Sequence, residues 1–270
     1  MKKYILLLAV GCFIYSCATN PFTGKSSLNF VSNSELFPSS FQQYGSFLKE
    51  NKVVIGTADA RMVENIGTKI RAAAEKWLRV TGQSEYLNGY QWEYKLVESK
   101  EVNAWCMPGG KIVVYSGILP ITKDEAGLAT VLGHEVSHAL CNHGAQRMSA
   151  AQLQQFGAVG VALATGSKSQ ESQQLWQQVY GVTSEVGVML PFSRNHESEA
   201  DKIGLTLMAI AGYNPDQAIV FWQRMASGAS GQKPPEFLST HPSDATRIAS
   251  LRSLIPEAKA NAAKLGIVFK

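Results

Sequence analysis

His134-Glu135-Val136-Ser137-His138 constrains this chain more than any other stretch. Two histidines four residues apart on a helix lie on one face, one turn apart. That spacing lets both imidazoles reach a single tetrahedral zinc ion. Glu135, between them, sits where it can take a proton from an attacking water. The flanks support a buried helix: Ala126, Leu128, Ala129, Val131, Leu132, Val136, Ala139 and Leu140 supply apolar faces around the motif. Thr122, with Glu125 three residues on, reads as a capping box that starts it.

A zinc ion held by two histidines needs a third protein ligand and an open fourth position. The stretch Ser193-Arg194-Asn195-His196-Glu197-Ser198-Glu199-Ala200-Asp201 offers one. Glu197 and Asp201, four apart, share a helix face. Glu197 reads as the third metal ligand. Asp201 reads as the acceptor for the far N–H of a ligand histidine, His134 first, which would fix its tautomer around the cofactor. Glu199 falls on roughly the opposite face and reads as solvated or salt-bridged. A shifted register would make Glu199 the ligand, but only Glu197 has an acid four residues later. His143 extends the motif to HExxHxxxxH, one residue short of the metzincin spacing and without its glycine. It therefore reads as structural or surface.

Together these motifs resemble the HtpX/BepA/Oma-type zinc metallopeptidases, gluzincins related to the CAAX prenyl proteases. The likeness also rests on Asn20-Pro21 with Thr23-Gly24, Asn103-Ala104 with Pro108-Gly109-Gly110, Gly212-Tyr213-Asn214-Pro215, and Ser239-Thr240-His241-Pro242 followed by Arg247-Ile248. It implies an α+β fold, mostly α: a gluzincin-type metallopeptidase domain with a small β-sheet against the zinc-binding helix. It implies a zinc-dependent endopeptidase with His134, His138 and Glu197 on Zn2+ and Glu135 as general base. His241 would lie near the metal, donating to the oxyanion or filling the open position in a resting form. Asn103 to Trp105 would be the edge on which a substrate lies as an extra strand; the plainer reading is a hairpin that supports the helix. No C-terminal tetratricopeptide array is expected, since the last motif lies close to the end.

The chain of 270 residues is ample for one core, and 17% charged against 45% hydrophobic residues marks a globular protein. The formal net charge is +4, two units of which are Lys2 and Lys3 in an expected leader. What remains argues against nucleic acid as a partner. Residues 1–16 read as a signal peptide, with a short apolar run ending in Ile14-Tyr15-Ser16-Cys17, which resembles a lipobox; Cys12 is a competing site. Residues 17–55 read as a lipidated N-terminus, tether and first helix, and 56–270 as the zinc metallopeptidase domain. With no acid after Cys17, the family rule places the protein in the periplasm, lipid-anchored through Cys17 to the outer membrane. The implied role is quality control in the bacterial cell envelope. Its substrates would be unfolded or misassembled polypeptides, such as stalled outer-membrane proteins, with the outer-membrane assembly machinery as a further partner. The rival reading is a zinc-containing lipoprotein acting mainly as an assembly chaperone.

Within the domain, the first helix runs from Ser34 to Lys49 and is broken near Pro38. Met62, Ile66, Ile70, Ala73 and Trp77 predict a helix over 59–78. Residues 90–97, 102–107 and 111–115 read as strands, the last two joined by a tight Pro108-Gly109-Gly110 turn. Gly212 reads as a C-cap, Pro215 opens a helix, and 228–235 is a Gly/Ser/Pro loop before Ser243 caps the last helix. Cys106 and Cys141 are candidates for a disulfide in an oxidising compartment. The glutamine-rich segment 149–190 lies between the two metal-binding helices and is a candidate lid, or else a peripheral helical hairpin.

Overall fold

The computed structural model describes residues 17–185, 189–228, 236–241 and 245–269. The leader over 1–16, the loop at 229–235 and the Ser243 cap lie outside the described residues. The elements in order are β1 (Cys17–Thr19), β2 (Ser26–Leu28), α1 (Asn33–Glu50), β3 (Val53–Val54), α2 (Ala58–Val80), β4 (Glu93–Val97), β5 (Ala104–Met107) and β6 (Lys111–Tyr115). They continue with α3 (Leu119–Thr122), α4 (Glu125–Leu140), α5 (His143–Thr165), α6 (Gln170–Ser184), α7 (Leu190–Ile210), α8 (Asp216–Gly228), α9 (Glu236–Thr240) and α10 (Ala245–Ala263). The fold is α+β and mostly helical, with one four-stranded sheet beside the HEVSH helix α4. Among the described residues, no helix is long and apolar enough to cross a membrane.

The sheet order is β3-β4-β6-β5. β4 and β6 are parallel, with Glu93 opposite Lys111, and β5 returns antiparallel along β6, with Ala104 opposite Val114. β5 is therefore an edge strand. The turn into β6 puts Gly109 and Gly110 at φ of 83° and 87°, a region L side chains avoid. A Cβ on Gly110 would also run into the ring of Trp92 at 2.7 Å. Both faces of β6 are covered. Ile112 and Val114 enter the main core with α2 and α4, while Val113 joins Tyr44 of α1, so the strand reads as a continuous apolar run.

Two helix starts differ from the sequence expectation. Pro38 does not break the first helix: α1 runs unbroken from Asn33, behind a capping box in which Glu35 accepts from the Ser32 backbone N–H at 3.0 Å. The HEVSH helix is capped by Asp124, whose Oδ1 accepts from Gly127 N at 2.8 Å. Thr122 belongs instead to α3, its hydroxyl donating to Leu119 O. Lys123, at φ 65°, turns the chain between the two helices and breaks the spacing a Thr122–Glu125 box needs.

The two helices that carry the acidic and imidazole motifs cross at a pair of glycines. A Cβ on Gly133 would stand 2.8 Å from Gly204 O, and one on Gly204 would stand 2.9 Å from His134 N. Gly204, Asp201 and Glu197 share one face of α7 through four- and seven-residue spacings. This close approach delivers Glu197 to the imidazoles. Gly204→Ala is expected to wedge α7 off α4 and cost about 1–3 kcal/mol. The melting temperature should then fall by roughly 2–4 °C per kcal/mol. A thermal melt equal to the parent's would show that the helices do not need this contact.

Candidate metal centre

Helix α4 is buried along its whole second half, so His134, Glu135 and His138 are only 2%, 4% and 6% exposed. His134 Nε2 lies 3.1 Å from His138 Nε2. The carboxylate of Glu197, from α7, stands between them: Oε2 is 3.3 Å from His134 Nε2 and Oε1 is 3.3 Å from His138 Nε2. His241, beyond the end of α9, brings Nδ1 to 2.8 Å from Glu197 Oε2 and 3.1 Å from His134 Nε2. The four donor atoms lie within 4.8 Å of one another. Donors at about 2.0–2.1 Å from a tetrahedral zinc stand roughly 3.3 Å apart. The set thus fits an ion of that size, and imidazoles with one carboxylate suit a divalent transition metal, zinc among them.

The charges agree with the geometry. Burial works against the ionised form of Glu197, but hydrogen bonds from His134, His138 and His241 hold its carboxyl far below the usual range. Burial also disfavours a charged His134, yet Asp201 and Glu197 on its two nitrogens push it up to about 9. This corner is built to hold a cation. His138 is held neutral, well below the usual imidazole range, by burial above all. Burial raises Glu135, against the pull of His241 and His134.

Asp201 Oδ1 lies 3.0 Å from His134 Nδ1. Arg247 of α10 grips Asp201 with two parallel bonds, Nε to Oδ2 at 2.9 Å and a terminal nitrogen to Oδ1 at 2.7 Å, and stacks over Trp222 at 3.8 Å. Such a fork leaves the carboxylate no freedom to rotate away from the imidazole. The positioning role of Arg247 was not visible from sequence. Its only signal is its place five residues after Pro242 in the last motif.

All five histidines of the chain form one cluster, and of the two readings of His143, structural or surface, the structural one holds. His143 is fully buried, with Nδ1 2.9 Å from His138 Nδ1 and Nε2 3.2 Å from Glu199 Oε2, and it stacks on His196 at 4.0 Å. Glu199 is not a ligand: it faces His143 and forms a 2.6 Å ion pair with Lys25. Hydrogen bonding from His143 first, and then from Lys25, brings its carboxyl down to about 2, against burial.

A cleft of about 700 Å³ opens onto these groups. Asn103, with Ala104, Trp105 and Cys106 of the edge strand, forms one wall, and Arg147, Ser193 and Arg194 the other; Glu135, His138, Glu197 and His241 make the floor. Within the segment 149–190, residues 149–184 fold as the helical hairpin α5–α6, tied by Tyr180 donating to Gln154 O and Gln177 donating to Ala158 O. Of this segment, only Leu190 lines the cleft among the described residues. Cys106 and Cys141 are free thiols, so the candidate disulfide is not formed. Cys106 faces the cleft from β5, whereas Cys141 caps α4 inside the core.

Residues 68–255 match the model of peptidase family M48. Mitochondrial metalloendopeptidase OMA1 of Saccharomyces cerevisiae is 32% identical over 95% of this chain and 75% of its own length. The mitochondrial metalloendopeptidase OMA1 of Bos taurus is 31% identical over 96% of this chain, which spans about half of it (49%). The beta-barrel assembly-enhancing protease of Escherichia coli is 31% identical over 58% of this chain and 33% of its own length. One expectation is overturned here. Relatives from two yeasts, cattle, a plant and human are mitochondrial by name, not periplasmic, so the placement in a periplasm on an outer membrane does not stand. Two lysines before a short apolar run do not by themselves specify a compartment. The matched region holds both metal-binding helices, and the chain is a metallopeptidase belonging to peptidase family M48.

Proposed function

We propose that the chain is a zinc-dependent endopeptidase that cuts unfolded or misassembled polypeptides. One observation carries this reading: His134, His138 and Glu197 converge beside a buried Glu135 at the floor of an open cleft walled by an edge strand. An extended segment pairs with such an edge through backbone groups, which selects for unfolded chain more than for particular side chains. The relatives' names, a metalloendopeptidase and a beta-barrel assembly-enhancing protease, support proteolysis, in one case tied to protein assembly.

His134, His138 and Glu197 would hold the ion, with Asp201 orienting His134. The ion, when bound, polarises the scissile carbonyl and makes a neighbouring water more acidic. Glu135 takes the proton of the attacking water and returns it to the leaving amine. Among the described residues its Oε1 has no hydrogen-bond partner, and His241 Nε2 is 3.4 Å away. His241 would fill the fourth corner in a resting form and would have to move aside for substrate. Arg147, in the first turns of α5, lines the same cleft, so the hairpin α5–α6 would serve as a lid over it.

Casein digestion by the full chain tests the reading. Activity should vanish with a chelator and return with zinc. His241→Ala should digest casein faster than the parent, since the corner is open. Zinc-independent digestion would refute the metallopeptidase mechanism, and a slower His241→Ala would refute the resting form.

A further inference from the structure

The two ligand histidines are buttressed differently. His134 meets a carboxylate directly, through Asp201. His138 meets another imidazole, with its Nδ1 2.9 Å from His143 Nδ1. Two such nitrogens share a single proton: two would clash, and none would set lone pair against lone pair. His138 Nε2 faces the donor cluster and must be bare to bind a cation. Its proton therefore sits on Nδ1 and is donated to His143. His143 must then carry its own proton on Nε2, where Glu199 Oε2 accepts it at 3.2 Å. Lys25 donates to the other oxygen of Glu199 at 2.6 Å. With a cation on His138 Nε2, only one arrangement of protons satisfies all four residues.

Lys25 arrives on the N-terminal arm, which is pinned to the far end of the HEVSH helix. Asn20 Nδ2 donates to Leu140 O and to Tyr86 OH, both at 2.8 Å, and its Oδ1 accepts from Phe22 N at 2.9 Å. Phe22 packs edge-on against Trp77. The arm's docking thus ends on a residue in line with a metal ligand.

We propose that His143 and Glu199 are positioning residues. They fix the tautomer and ring angle of His138, and the docked arm completes their chain through Lys25. This inference rests on the zinc reading above. Outer partners of ligand histidines contribute about 10–100-fold in metal affinity. Zinc affinity, measured on the full chain by competition with a chromophoric chelator, should fall by that factor in His143→Leu, which fills the space but accepts no proton. His143→Gln offers an oxygen to His138 and an N–H to Glu199, and should restore most of the affinity. Glu199→Ala should also weaken zinc.

A His143→Leu protein that binds zinc like the parent overturns the proposal. So does a His143→Gln protein as weak as His143→Leu, because packing alone would then explain both. Zinc-free melts report folding separately. If His143→Leu does not fold, Glu199→Ala decides, and an unchanged affinity there overturns the chain. A parent that fails to bind one zinc would remove the metal reading and this inference together. A parent that binds it, with indifferent variants, removes this inference alone.

Discussion

Glu135→Gln is expected to keep one zinc per chain and to digest casein about 10²–10⁴-fold more slowly than the parent. Glutamine has the shape of glutamate, so the buried volume beside β5 stays filled and α4 is undisturbed. It cannot take up a proton. Burial already holds the Glu135 carboxyl above its usual range, which makes it a stronger base than a solvated carboxylate. The residue is not within the donor set formed by His134, His138, Glu197 and His241, so metal content should not change. Metal analysis and a digestion time course on the same preparation separate the two effects. Parent-like turnover by the zinc-loaded Gln protein would remove Glu135 from the chemistry. Loss of zinc together with activity would show that the substitution damaged the site itself.

Local spacing carried much of the architecture. The four-residue histidine pair, the apolar period of α2 and the Pro108-Gly109-Gly110 turn each depend on neighbours within one or two turns of chain, and each could be read directly. The pairing of Glu197 with Asp201 was legible for the same reason. What escaped depends on contacts between distant segments. Nothing local distinguishes Asp124 from Thr122 as the cap, because the left-handed turn at Lys123 settles it. Pro38 looked like a break, yet α1 continues through it against the sheet. The part His143 plays was not legible because the acid on its far nitrogen, Glu199, comes from 56 positions away. Arg247 was seen as part of a motif, not as the clamp on Asp201. The glycine pair that lets α4 and α7 touch shows only once the two helices are placed together.

Glu197→Ala is expected to abolish the response of folding stability to zinc. On the proposed reading, zinc would bind the parent's native chain in preference to the unfolded one, so the melting temperature should climb as the ion is added. Removing the carboxylate takes out the only acidic donor in the set and leaves three imidazoles facing one another. The variant's melt should barely move at zinc concentrations that saturate the parent. Without zinc it should also be weaker. Glu197 accepts from three imidazoles, at 3.3, 3.3 and 2.8 Å, in a pocket where its side chain is 17% exposed. Breaking a buried charged cluster of this kind costs about 3–5 kcal/mol, or roughly 2–4 °C of melting temperature for each of them. His134→Ala should behave the same way toward zinc, but it also frees Asp201 and Arg247 from their partner, so Glu197→Ala is the cleaner probe. If zinc raises the variant's melting temperature as far as the parent's, the carboxylate on α7 is not a ligand. The meeting of the two helices at Gly133 and Gly204 would then serve packing and not the metal.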